Sequence, residues 1–158
     1  MGFIISKKTY IVRNQFSFMV RIIFEKTVNA DIQKTFDVLT DFENFEKMLP
    51  NYYTSITTKS IRDESSLVVE HLHLAGNEFI MMAKHFMKSP VIHEMRVVGG
   101  DIKGSHIIEK LDQVNGKTKI FVDASINVSK RTKISFKKSN YEDEIKKLYQ
   151  KFIEYIEN

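Results

Sequence analysis

The chain has 158 residues, 42% of them apolar, which suits one domain with a real core and would crowd two. Charge is nearly balanced, 24 Lys+Arg against 20 Asp+Glu, so the formal +4 lacks the dense cationic stripe of a dedicated nucleic-acid binder, and no nucleic-acid partner is expected. Cysteine is absent, which excludes disulfides, thiolate nucleophiles and cysteine-based metal centres; no apolar run reaches the ~18 residues of a membrane-spanning helix, and a cytoplasmic location is expected.

Residues 1–15 carry two short apolar clusters around Lys7 and Lys8 without a sustained period, and are read as an N-terminal extension to a single domain over 16–158. Gly2 and Ser6 match the short N-myristoylation pattern, one that recurs by chance in many sequences. From Phe16 to Thr27 the alternation is clear: Phe16, Phe18, Val20, Ile22 and Phe24 share one side, as a strand buried on one face requires. Asn29 and Asp31 offer capping oxygens to a short helix with Ile32, Phe36 and Leu39 on one face. Asp41 opens a second, bearing Phe42, Phe45, Met48 and Leu49, and Pro50 closes it.

Six strand patterns follow: Tyr53 to Ile61, Leu67 to Ala75, Phe79 to Lys88, Val91 to Val98, Ser105 to Val114 and Lys117 to Val128. Turns are read at Arg62–Ser65, Gly76-Asn77, Ser89-Pro90, Gly99–Asp101 and Asn115-Gly116. The last is the strongest hairpin signal, since its turn type needs positive φ at both central residues. After the basic run Lys130, Arg131, Lys133, Lys137 and Lys138, one long helix from about Asn140 to Ile156 presents Tyr141, Ile145, Leu148, Phe152 and Tyr155/Ile156 as its stripe. The expected fold is α+β: a seven-stranded curved antiparallel sheet, two short helices after its first strand, and a long C-terminal helix crossing the concave side. Such a sheet cannot close perfectly around one helix, so an apolar cavity is expected between them.

The run from Val28 to Pro50 (VNADIQKTFDVLTDFENFEKMLP), the stretch from Val98 to Ser105, the Asn115-Gly116 hairpin and Val122-Asp123-Ala124 resemble one family. It is the polyketide cyclase/dehydrase and coenzyme Q-binding branch of the START-like, helix-grip superfamily. The resemblance spans about Phe16 to the C-terminus, with Ala30-Asp31 where many relatives place a proline. It implies a cavity for a hydrophobic ligand. Within the superfamily some members carry lipids or quinones and others catalyse cyclisation or dehydration, and the fold alone does not choose between them.

The candidate lining residues are Phe45 and Leu49 from the helix pair, Phe79, Met81, His85, His93, Met95 and Val97 from the middle strands, Val122 and Ala124 from the last strand, and Leu148 and Phe152 from the terminal helix. A turn centred on Ser89 would place His85 and His93 directly opposite each other; the orientation of His71 and His73 stays open. Imidazoles in such a wall orient a ligand oxygen or act as acid and base. No recognised metal-ligand spacing or phosphate loop is present, so neither metal nor cofactor is expected, and Glu109, Asp123 and Asp101 form no assignable proton-transfer pair. The first reading is a non-catalytic carrier or chaperone for a lipid-like molecule or isoprenoid quinone, with the basic run touching an anionic membrane surface in passing. Its rivals are a cyclase or dehydratase using His85 or His93, and a protein-partner module if side chains fill the cavity.

Overall fold

The computed structural model describes residues 9–11, 17–129 and 138–158. The myristoylation pattern and the basic run from Lys130 to Lys137 lie outside these residues. The elements in chain order are β1 (Thr9–Ile11), β2 (Ser17–Val28), α1 (Ile32–Leu39), a single 3₁₀ turn (Phe42–Asn44), α2 (Phe45–Met48), β3 (Tyr53–Arg62), β4 (Ser65–Leu74), β5 (Asn77–Lys88), β6 (Ile92–Gly100), β7 (His106–Val114), β8 (Lys117–Ser129) and α3 (Lys138–Glu157). All seven expected strands are present. Thr9–Ile11, from the segment read as an extension, adds a short eighth by pairing with β2.

The sheet is antiparallel throughout, in the order β1-β2-β8-β7-β6-β5-β4-β3. The helix α3 touches both β2 and β4, which four other strands separate, so the sheet must bend around it. Both ends of α3 are tied to the sheet side: the Asn77 side-chain amide donates to the Tyr141 hydroxyl at 3.0 Å, and the Asn29 backbone N–H donates to Glu157 at 2.8 Å. The buried face of α3 carries Tyr141, Ile145, Leu148, Tyr149, Phe152, Ile153 and Ile156. Tyr155, placed in the stripe by spacing, is 48% exposed, while Tyr149 and Ile153 take up the inner face.

Helix α1 starts where expected, with the Asp31 carboxylate accepting the Lys34 N–H at 2.8 Å. Two turns differ from expectation. The β4–β5 reversal is Ala75-Gly76, with positive φ at both (52° and 75°), one residue earlier than the Gly76-Asn77 reading. Gly99 and Gly100 belong to β6, because a bulge between the Met82 and Ala83 pairings inserts Val98 and prolongs the ladder to Gly100. Gly100 has φ of +80°, and a Cβ there would sit 2.4 Å from the Ile80 carbonyl oxygen, so only glycine allows this approach. No helix among the described residues is long and apolar enough to cross a membrane.

Candidate functional site

Between the concave face of the sheet and α3 lies a hollow of about 70 Å³. Its wall is mostly apolar. Of the candidate residues, Phe45, Phe79, Met81, His85, His93, Met95, Leu148 and Phe152 line it. Leu49, Val97, Val122 and Ala124 are buried in the core but do not line it. The inward faces of the strands are larger than the void, so correct alternation does not by itself place a residue on its wall. A bigger depression of about 390 Å³ lies among Arg62, Glu64, Phe86, Lys88 and Glu94. It is a groove open to solvent at the ends of the β3–β4 and β5–β6 hairpins, and neither buried histidine lines it.

Five buried residues of the wall form one hydrogen-bonded chain. Alternation along β4 points Val68, Glu70, Leu72 and Leu74 inward, so a carboxylate sits in an apolar stripe. Glu70 Oε2 lies 2.9 Å from His85 Nε2, and His85 Nδ1 lies 2.8 Å from His93 Nε2. His93 Nδ1 lies 2.5 Å from Glu109 Oε1, and the Tyr149 hydroxyl donates to Glu109 Oε2. Glu70, His85, His93, Glu109 and Tyr149 are all buried. Phe42 covers the imidazoles from the helix-pair side, its ring centroid 4.1 Å from that of His85 and 5.6 Å from that of His93.

His85 and His93 are neighbours, but not as the turn reading places them. The reversal spans Ser89 to Val91, with Val91 N–H bonding back to Lys88, and pairs Lys88 with Ile92. His85 therefore stands opposite Met95 and Met87 opposite His93, and the imidazoles meet on the diagonal with rings stacked at 5.1 Å and 12°. The other pair, His71 and His73, lies on the outer face of β4, away from the cavity, the side on which a two-residue turn at Gly76-Asn77 would also place it.

Proton counting constrains the chain's chemistry. The three contacts from Glu70 to Glu109 each need one proton, so the network holds three. Two neutral imidazoles supply only two. The third places the segment at a net charge of −1, as two carboxylates and one extra proton. Burial lowers the His85 pKa, against the opposing pull of the Glu70 hydrogen bond and charge, so His85 is the neutral ring. In the consistent arrangement His85 donates from Nε2 to Glu70 and accepts at Nδ1 from His93 Nε2–H. The third proton then sits between His93 and Glu109. Burial, with the Glu109 charge and hydrogen bond adding to it, raises the Tyr149 pKa well above its ordinary value, so its hydroxyl stays a donor.

Tyr53 completes the wall. Its hydroxyl has no hydrogen-bond partner among the described residues, although the side chain is buried and lines the hollow. Burial first, then the Glu70 and Glu109 charges, push its pKa well up, which keeps it protonated. Sequence reading missed Glu70, Tyr53 and Tyr149 as site residues and left Glu109 unassigned. For Glu70 and Glu109 a signal existed: each interrupts an apolar stripe at period two, between Val68 and Leu72 and between Ile107 and Leu111.

The depressed His85 pKa has a testable sign. The unfolded chain takes up this proton near pH 6.5 and the folded chain only lower down, so the stability it contributes is present above ~6.5 and is lost as pH falls through the folded value. Urea unfolding at pH 6.5, 6.0 and 5.5, where the unfolded imidazoles take up protons, should show the midpoint falling with acid. His85→Gln should reduce that slope by up to about 1.4 kcal/mol per pH unit. An equal slope in the variant would assign the acid sensitivity elsewhere.

No family model matches the sequence, and no curated protein matches it. Solved structures do. A protein of Thermus thermophilus is similar at TM-score 0.72 and 8% identity, with 86% of this chain and 96% of that one covered. A START superfamily protein from Mycobacterium smegmatis gives TM-score 0.67 at 10% identity, covering 87% and 94%. The Zhui aromatase/cyclase of a Streptomyces species gives 0.62 at 13%, covering 87% and 86%. The chain has the helix-grip fold that these structures share.

Proposed function

We propose that the protein binds a hydrophobic small molecule with an oxygen-bearing head, of lipid-like or isoprenoid-quinone type, in the hollow between the sheet and α3, as a carrier or chaperone. The observation that carries this reading is the unpartnered Tyr53 hydroxyl, held beside a buried carboxylate–imidazole chain in an otherwise apolar cavity. The hydroxyl makes no hydrogen bond to another described residue and burial keeps it protonated, so it is free to donate to a ligand oxygen in the hollow. Each buried methylene of such a ligand adds about 0.8 kcal/mol. The START and aromatase/cyclase structures that share the fold support the same class of site.

A hollow of about 70 Å³ is well below the ~300–1,000 Å³ of drug-sized pockets, so this is a closed form and a longer ligand must spread its wall. Unbranched Met81 and Met95 are the adaptable parts of that wall. Collection of the ligand from an anionic membrane surface is part of the proposal, supported by the Lys130–Lys138 run in the sequence.

Native mass spectrometry of the purified chain, with organic extraction of what co-purifies, identifies the ligand class. Affinity is then compared for a short-chain quinone and for a plain alkane of similar length. Tyr53→Phe should weaken the quinone about 5–10-fold and leave the alkane unchanged. Equal affinities in the variant and the wild type for both probes, or no binding of either, would sink this reading. The cyclase or dehydratase reading is favoured by one observation, the buried imidazole pair with carboxylates at both ends. It wins if His85→Ala and His93→Ala abolish turnover of a polyketide-like substrate while ligand binding persists.

A further inference from the structure

The outer face of the sheet carries a second histidine group, separate from the cavity. His71 and His73 stand two residues apart on β4 and so point to the same side; their rings stack at 5.3 Å and 19°. Glu78, on β5, pairs directly opposite His73 and diagonal to His71, and its carboxylate is hydrogen-bonded to His71. One donor atom from each residue lies within 4.8 Å of the other two. The hairpin is short, Ala75-Gly76, so these strands are held in one register at the height of the group.

We infer that His71, His73 and Glu78 form a binding site for a divalent transition-metal ion of the zinc type. Two imidazole nitrogens and one carboxylate oxygen are the donor set such ions take, whereas magnesium and calcium favour oxygen cages. Donors each ~2.0–2.1 Å from a tetrahedral zinc lie ~3.3 Å apart, inside the 4.8 Å that already bounds the donor atoms of this group. Without an ion the group is poorly satisfied. Glu78 serves His71, and the His73 ring meets the Thr54 hydroxyl only at 3.5 Å, the limit of a hydrogen bond. An ion would engage all three at once. Glu78 is 56% exposed in its side chain and His71 26%, so the ion can reach the site from solvent and the remaining position stays open to water. Bound there, it would clamp β4 to β5 on the reverse side of the strands that carry Glu70 and His85 inward.

The test uses the untagged full chain, freed of metal by chelation and titrated with zinc chloride against a metallochromic indicator, with magnesium chloride as the contrasting ion. One zinc per chain is expected, with magnesium failing to compete in large excess. His73→Ala and Glu78→Gln should each weaken zinc at least about tenfold, and the double variant His71→Ala/His73→Ala should abolish the site. His106→Ala, which removes a partly exposed histidine on β7, should leave it intact. Copper(II) added in place of zinc should show an electron paramagnetic resonance spectrum with two-nitrogen coupling, lost in the double variant. All four positions face outward, and circular dichroism identifies any variant that fails to fold; Glu78→Gln, of equal shape, then decides alone. Absence of stoichiometric zinc in the wild type, or its retention in the folded double variant or in Glu78→Gln, overturns the site.

Discussion

Glu109→Ala is expected to destabilise the protein by about 3–5 kcal/mol, measured by urea unfolding at pH 7.5. The substitution removes the acceptor for two buried groups at once, His93 Nδ1 and the Tyr149 hydroxyl. Neither has water to turn to, because His93 and Tyr149 are only 6% and 5% exposed. Each donor left unpaired costs about 1–3 kcal/mol, and the extra proton of the network loses its counter-charge. Replacing the whole chain by apolar side chains of similar volume, at Glu70, His85, His93, Glu109 and Tyr149 together, should leave stability equal to wild type or higher. A loss under 1 kcal/mol for Glu109→Ala would mean that solvent reaches the network and that the proton count does not govern it.

The contrast between those two results locates the reason for the network. A fully buried chain of two carboxylates and two imidazoles adds little net stability compared with an apolar core of the same shape. At the cavity wall this chain lies close enough to Tyr53 for the Glu70 and Glu109 charges to help raise the pKa of its hydroxyl. The apolar five-fold variant is therefore expected to fold and to have lost selectivity for a ligand with a polar head.

Much of this architecture can be read from residue patterns, because they set one choice at a time. Period two in Val20, Ile22 and Phe24 picks the inner face of β2, Asp31 starts α1, and Asn115-Gly116 reverses β7 into β8. Register is less legible, since it depends on how many residues each turn consumes. At Ser89–Val91 the turn is centred one residue later than the reading placed it, which shifts the pairing by two residues and moves His93 from across His85 to its diagonal. At Ala75-Gly76 an alanine accepts positive φ where Gly76-Asn77 was the stronger sequence signal; the shift moves the β4–β5 pairing by two residues, so His71 and His73 stay on the outer face that a Gly76-Asn77 turn would also give them. The bulge at Val98 leaves no mark in composition at all. Tyr149 was passed over for its neighbour Leu148, yet both are buried; a helix gripped by a curved sheet hides a wider arc than one lying on a flat sheet.

Phe152→Ala should cost about 3–5 kcal/mol and, in the same molecule, create a binder for small apolar probes. Phe152 is 4% exposed, meets the Phe45 ring edge-on at 5.0 Å and 68°, and lines the hollow. Removing its ring deletes the bridge from α3 to the helix pair and enlarges the void from inside, where surrounding strands cannot collapse to fill it. A dry apolar void of that kind takes up benzene. Benzene should raise the thermal midpoint of Phe152→Ala, by an increment equivalent to ~2.7 kcal/mol at a concentration 100 times its dissociation constant, and leave the wild-type midpoint unchanged. The wild-type result matters as much as the variant's, because a hollow of about 70 Å³ has no room for the ring in its closed form. If benzene stabilises both proteins equally, the wild-type wall already opens freely. If it stabilises neither, α3 has settled into the space and the interior is not a ligand cavity.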